Sequence, residues 1–247
     1  MEYQLLTPAK NDTKPTLVLL HEGLGCIAMW KDFPRQLARS SGCPVLSYSR
    51  AGYGGSDPCP LPRPLNFMHD EGLKVLPEIL TLANIKRTLL IGHSDGASIS
   101  LISAGGLADE RIAGVILMAP HVFVEELTLS SIREAKTAFE TTDLRERLAR
   151  YHGDNVDCAF WGWNRAWLDE DFVDWNLEAF VPQIKVPVQL IQGTQDQYGT
   201  IQQLNKISAG LPNGAKLTLL PDCGHSPFHD QPTMTLRAIN AFLQNYF

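Results

Sequence analysis

Six short runs of aliphatic and β-branched residues recur along the chain, at 16–21, 44–50, 88–94, 114–120, 186–193 and 216–222, each closed by turn residues. Between them lie stretches whose apolar residues repeat at helical spacing, at 33–40, 71–83, 97–107, 201–209 and 232–246. Strands separated by helices cross over to run parallel, and runs this continuously apolar suit strands covered on both faces. The alternation therefore predicts an α/β fold, a mostly parallel central sheet flanked by helices. Residues 51–64 are rich in Gly and Pro and read as a long loop. A chain of 247 residues with 44% hydrophobic residues has enough apolar content for one large core.

The alternation breaks once. Between Pro120 and Val186, helical patterns run on without a convincing strand, so residues 1–120 and 186–247 form the expected core and 121–185 an insertion. The insertion holds Trp161, Trp163, Trp167 and Trp175 with Phe160, Phe172 and Phe180. These aromatics can pack its helices onto the sheet domain, or line a substrate site as a lid, and the two roles are compatible. Trp161, Trp163 and Trp167 are the candidate substrate contacts.

The charge of −6 leaves no basic stripe, so nucleic acid is not an expected partner. No apolar run reaches the ~20 residues of a membrane span, and MEYQLLTPAK lacks a basic segment followed by an apolar one, which predicts a soluble, cytoplasmic protein. Five cysteines without CxxC or Cys/His ligand spacing argue against a disulfide framework and against a metal site, and read as buried, inert thiols.

The strongest chemical signal is Gly92-His93-Ser94-Asp95-Gly96, directly after the run at 88–91 and directly before the small-residue stretch at 97–100. This is the G-x-S-x-G nucleophile elbow in its strand-turn-helix context. The turn projects the Ser94 hydroxyl above the sheet and aims the Asp95 N–H at a developing oxyanion. Serine needs a base held by a carboxylate. Asp196 follows the run at 186–193 and His225 the run at 216–222, so both sit with Ser94 beyond the carboxyl ends of strands, where sites of parallel sheets form. Asp196 has a rival reading as a turn or cap residue, and His225 has His229 as a rival. His93 reads as packing under the elbow, and Asp230 as a cap of the last helix. The second oxyanion donor falls in His21-Glu22-Gly23-Leu24-Gly25, from Gly23 or Leu24. Glu125-Glu126 reads as a solvated helix face, with steering of a cationic substrate as the alternative.

In combination, His21 to Gly25, Ser49 to Pro58, the elbow, Gln192 to Asp196, and Gly224-His225 with Asp230-Gln231-Pro232 resemble the α/β-hydrolase fold, in its capped serine hydrolases of the esterase and meta-cleavage-hydrolase type. The resemblance implies Ser94 as nucleophile, His225 as base, Asp196 as orienting acid, backbone donors from Asp95 and Gly23, and a helical cap over 121–185. Glu22 departs from the glycine usual at its position, and Ala51 separates Arg50 from Gly52. Arg50 reads as structural, tying its loop to the sheet edge, with binding of a carboxylate in the pocket as the alternative. The expected reaction is hydrolysis of a small ester through an acyl-enzyme, with no cofactor and no metal. A thioester, lactone or carbon–carbon bond, or a weakly catalytic ligand-binding role, is the alternative. The expected partner is a small ester-like molecule, with a homodimer left open.

Overall fold

The computed structural model describes residues 1–8 and 14–247. Seven strands form one sheet: β1 (Tyr3–Leu6), β2 (Thr16–Leu20), β3 (Val45–Tyr48), β4 (Thr88–His93), β5 (Ile112–Met118), β6 (Val188–Gly193) and β7 (Lys216–Leu220). Their order is β1-β3-β2-β4-β5-β6-β7; β1 is antiparallel to β3 and every other pairing is parallel. The helices are α1 (Phe33–Ser41), α2 (Phe67–Asp70), α3 (Leu76–Leu82), α4 (Asp95–Gly106), α5 (Glu126–Thr141), α6 (Leu144–His152), α7 (Val156–Trp167), α8 (Ile201–Gly210), α9 (Pro227–Asp230) and α10 (Pro232–Tyr246).

The period of two along the central strands divides the core. Leu17, Leu19, Leu89, Ile91 and Ile116 face α1 and α10, where Phe33, Leu37, Ile239 and Phe242 cover them. Val18, Leu20, Leu90, Val115 and Leu117 face the other way, onto Leu76, Leu80, Ile99, Ile102 and Leu204. Register then decides where chemistry can gather. Leu20 pairs with Gly92, His93 with Met118, and Gly193 with Leu220, so β2, β4, β5, β6 and β7 end along one edge of the sheet.

Three features differ from the sequence reading. β1 was not expected, because its residues alternate between exposed and half-buried on an edge strand and carry no apolar run. β7 is covered on one face only, leaving Leu217 and Leu219 exposed, whereas the other parallel strands are buried. The helix expected from 71 begins at Phe67, and a π-helical turn over Glu71–Val75 joins α2 to α3. Pro77 in the first turn of α3 has no N–H to give to the preceding turn, which the wider turn accommodates.

Between β5 and β6 the chain forms α5, α6 and α7 and adds no strand to the sheet among the described residues; a single isolated bridge pairs Phe123 with Asn176 within this excursion. Ile132, Phe139, Phe160, Trp163 and Trp167 of this excursion belong to the same apolar cluster as the β2–β5 face. Cys26, Cys43 and Cys223 are buried thiols, but Cys59 and Cys158 are half-buried and meet, Sγ to Sγ, at 2.9 Å between the 51–64 loop and α7. Among the described residues no helix is long and apolar enough to cross a membrane.

Candidate active site

Ser94 stands between β4 and α4 with φ +53° and ψ −118°, a conformation that costs on the order of 1–3 kcal/mol for a non-glycine residue. The surroundings enforce it: Ser94 N–H donates to Met118 O at 2.9 Å, and Ser94 O accepts from Ala97 and Ser98 N–H at 2.8 and 3.0 Å. Glycine is required on both sides. A Cβ on Gly92 would lie 2.1 Å from Gly96 O, and one on Gly96 would lie 2.0 Å from Leu20 O. The sharp turn thus exists only because two backbones can touch.

Asp196 and His225 arrive from the turns after β6 and β7, which are stapled together by Thr194 N–H to Leu220 O and Gln195 N–H to Cys223 O, both 2.9 Å. His225 Nδ1 donates to Asp196 Oδ1 at 2.8 Å, and the same oxygen accepts from Tyr198 N–H at 2.8 Å and Gly199 N–H at 3.2 Å. Burial opposes ionisation of Asp196, but these bonds and the nearby histidine outweigh it and draw the carboxyl down to about 2. The Tyr198 ring lies 4.8 Å from the His225 ring. His229, the rival base, is exposed and pairs with Asp230. Asp230 itself does not cap the last helix: Oδ2 accepts from Gly224 N–H at 2.9 Å, which fastens the turn that carries His225.

The loop after β2 is held from below by Arg50, which is turned to this loop. Its guanidinium donates to the carbonyls of His21 and Glu22, and its N–H donates to His21 Nε2 at 3.1 Å. His152 Nε2 donates to Leu24 O at 2.9 Å. The loop's carbonyls are therefore pulled down and away, while the N–H groups of Gly23 and Leu24, like that of Asp95, make no hydrogen bond to protein among the described residues. Glu22 Oε2 is in contact with His93 Nδ1 beneath the elbow.

A cavity of about 160 Å³ joins these pieces. Ser94, Asp95, Gly23, Leu24 and His225 line it from the sheet edge, and Thr128, Ile132, Trp163 and Trp167 from α5 and α7. Trp161 is not in its wall; it packs edge-on against Phe139 and Phe160 under Arg165. Helical phase accounts for the difference, since Trp163 and Trp167 are four apart on one side of α7 and Trp161 falls on the opposite side. That spacing was the available signal. Trp167 Nε1 donates to Asp95 Oδ1 at 3.1 Å, and burial raises the Asp95 carboxyl. His121, absent from the sequence reading, also lines the cavity, and burial drives its ring down to about 3, so it is neutral. Glu125 is not on a solvated face: it accepts from Thr200 and Gln203 and fastens the start of α5 to α8. Glu126 is exposed and pairs with Arg133.

The chain belongs to the alpha/beta hydrolase family, whose sequence model matches residues 17–238. Its fold is similar to that of the proline iminopeptidase of Mycobacterium smegmatis, with TM-score 0.77, 18% identity, and 99% of this chain and 94% of that one covered. It is also similar to the enol-lactonase of Burkholderia xenovorans, at TM-score 0.74 and 22% identity over 98% of this chain and 96% of that one. An esterase of Exiguobacterium antarcticum gives TM-score 0.76 and 15% identity, with 98% and 94% covered. At such identities the likeness concerns the fold.

Proposed function

We propose that the protein is a serine hydrolase of small esters. Ser94 attacks the carbonyl carbon, and His225 takes the hydroxyl proton and gives it to the leaving alkoxide. His225 then activates the water that releases the acyl group from Ser94. Asp196 holds the imidazole with Nδ1–H toward itself and stabilises the imidazolium. The N–H groups of Asp95 and of Gly23 or Leu24 receive the oxyanion. The observation that carries this reading is the 2.8 Å contact of His225 Nδ1 with the low-pKa Asp196, on a ring that shares one cavity with a strained Ser94.

No hydrogen bond joins Ser94 to the His225 ring among the described residues, and contacts of this kind commonly tighten only with substrate in place. The segment 121–185 acts in this reading as a cap, because α5 and α7 supply the outer wall. The cavity size sets the substrate: a space near 150 Å³ holds a molecule about the size of benzene, so a short acyl group is expected. The wall contains no Lys or Arg, which suits an uncharged ester over an anionic one.

The test is hydrolysis of p-nitrophenyl esters from acetyl to dodecanoyl by wild-type and Ser94→Ala protein. Turnover highest at short chains and reduced by ~10⁴-fold or more in the variant supports the reading. Equal turnover by the two proteins overturns it.

A further inference from the structure

One carboxylate at the cavity takes no part in the proposed acyl transfer. Glu22 lies on the loop that offers the oxyanion donors, with its side chain 20% exposed and Oε2 against His93 Nδ1. His93 is fully buried, precedes Ser94 in the chain, and has Nε2 2.7 Å from the main-chain oxygen of His225. A carbonyl oxygen only accepts, so Nε2 carries a hydrogen and Nδ1 is the atom left for the carboxylate. Burial opposes charging this ring, yet Glu22 beside it outweighs burial, helped by the His225 carbonyl and by Asp196, and its pKa is raised. Burial likewise opposes ionisation of Glu22, and contact with His93, with lesser help from His225 and Arg50, holds its carboxyl low all the same. The contact therefore favours a carboxylate on Glu22 and a second proton on the His93 ring, at Nδ1.

These contacts cross three separate turns. Glu22 belongs to the loop after β2, His93 ends β4 at the elbow, and His225 belongs to the turn after β7. The His93 ring cannot swing aside, because Trp30, Phe228 and the His225 ring pack around it at 6.4, 5.2 and 5.1 Å between centroids. Arg50 fixes the other side of the Glu22 loop through the main chain.

We propose that Glu22 is a positioning residue for the acyl transfer: acting through His93, it holds the main chain of His225 in register with the oxyanion donors. The proposal rests on the Ser94–His225–Asp196 reading of the site. Asp196 sets the direction of the imidazole, whereas Glu22 and His93 set where the backbone delivers it. A shift of ~1 Å in a catalytic group can cost ~100-fold, so a tie of this kind matters to rate without touching substrate.

The experiment is steady-state hydrolysis of p-nitrophenyl acetate by wild type, Ser94→Ala, Glu22→Gln, His93→Asn and the Glu22→Gln/His93→Asn double variant. Active sites are counted by titration with an organophosphate, so misfolded protein does not enter kcat. Glu22→Gln is expected to lower kcat per site by ~10- to 100-fold with KM within about threefold of wild type. The double variant is expected to lose no more than His93→Asn alone, because Glu22 acts through that ring. A wild-type kcat in Glu22→Gln, with Ser94→Ala inactive, overturns the proposal and leaves the acyl-transfer reading standing. An active Ser94→Ala overturns that reading itself. If His93→Asn does not fold, ¹⁵N spectra recorded against pH decide: the expected result is that His93 Nδ1 loses its proton at a higher pH in the wild type than in Glu22→Gln. A His93 titration that is the same in the two proteins overturns the proposal.

Discussion

Replacing Asp196 by asparagine exchanges one carboxylate oxygen for an NH₂ group at a site where both oxygens already accept hydrogen bonds. Oδ1 accepts from His225, Tyr198 and Gly199, and Oδ2 accepts from Gln192 Nε2 at 3.1 Å. An amide that keeps its oxygen at the first position sets its NH₂ against the Gln192 NH₂. Turned round, it sets the NH₂ against three donors and forces the wrong His225 tautomer. In either orientation the charge facing the imidazolium is gone. The carboxyl titrates at about 2 instead of its ordinary 3.8, a difference worth on the order of 2 kcal/mol. Lost from an imidazolium-like transition state, that alone is a ~30-fold fall in kcat, and loss of the tautomer extends the fall to ~10⁴-fold. The assay is kcat for p-nitrophenyl acetate per titrated active site at pH 8. A kcat within threefold of wild type would refute the role of Asp196. Stability gives a second readout. A carboxyl whose pKa is depressed by folding stabilises the native state fully above about pH 4, and that contribution is lost as the pH falls toward about 2. Urea midpoints measured from pH 5 to pH 2 should therefore decline more steeply for wild type than for Asp196→Asn.

Gly96→Ala drives a methyl group to within 2.0 Å of Leu20 O, a backbone atom that cannot move aside, so urea unfolding should show a loss of ~1–3 kcal/mol or more; an unchanged midpoint contradicts the account of the elbow. Arg50→Met removes the donors to the His21 and Glu22 carbonyls inside the core, and is expected to cost ~1–3 kcal/mol in stability and to lower kcat more than it raises KM. Trp163→Ala opens the cavity wall and relieves the contact with Gly23, so the ratio of hexanoyl to acetyl ester turnover should rise ~10-fold or more; a constant ratio argues that α7 does not bound the acyl group.

The features legible in the sequence are those set by neighbours in the chain. The apolar runs anticipate β2 to β7, and the helical repeats anticipate α1, α3, α4, α8 and α10, mostly with ends displaced by about two residues, because periodicity reports which face is buried and says little about where hydrogen bonding stops. Gly92 to Gly96 announces the elbow for the same reason: the glycines, the serine and the strand and helix around them are one local constraint. Trp163 and Trp167 were separable from Trp161 by helical phase. β1 was not legible, since a four-residue edge strand buries too little to leave a pattern.

Other features have no local signature. Asp230 sits just ahead of Pro232, where a capping aspartate is reasonable, yet its oxygen goes to Gly224 because the turn after β7 folds back onto α9. Glu125 looks like half of a solvated acidic pair until α8 brings Thr200 and Gln203 against it. Glu22, His93 and His225 are far apart in the chain, and nothing near any of them states that the first two meet or that the third is their acceptor. The sequence by itself determined that a serine, a histidine and an aspartate would each follow a strand, because strand, turn and residue are covalently adjacent. Only the tertiary structure decided which carboxylate meets which ring, because sheet order and register, and not chain distance, bring the ends of β2, β4, β6 and β7 together.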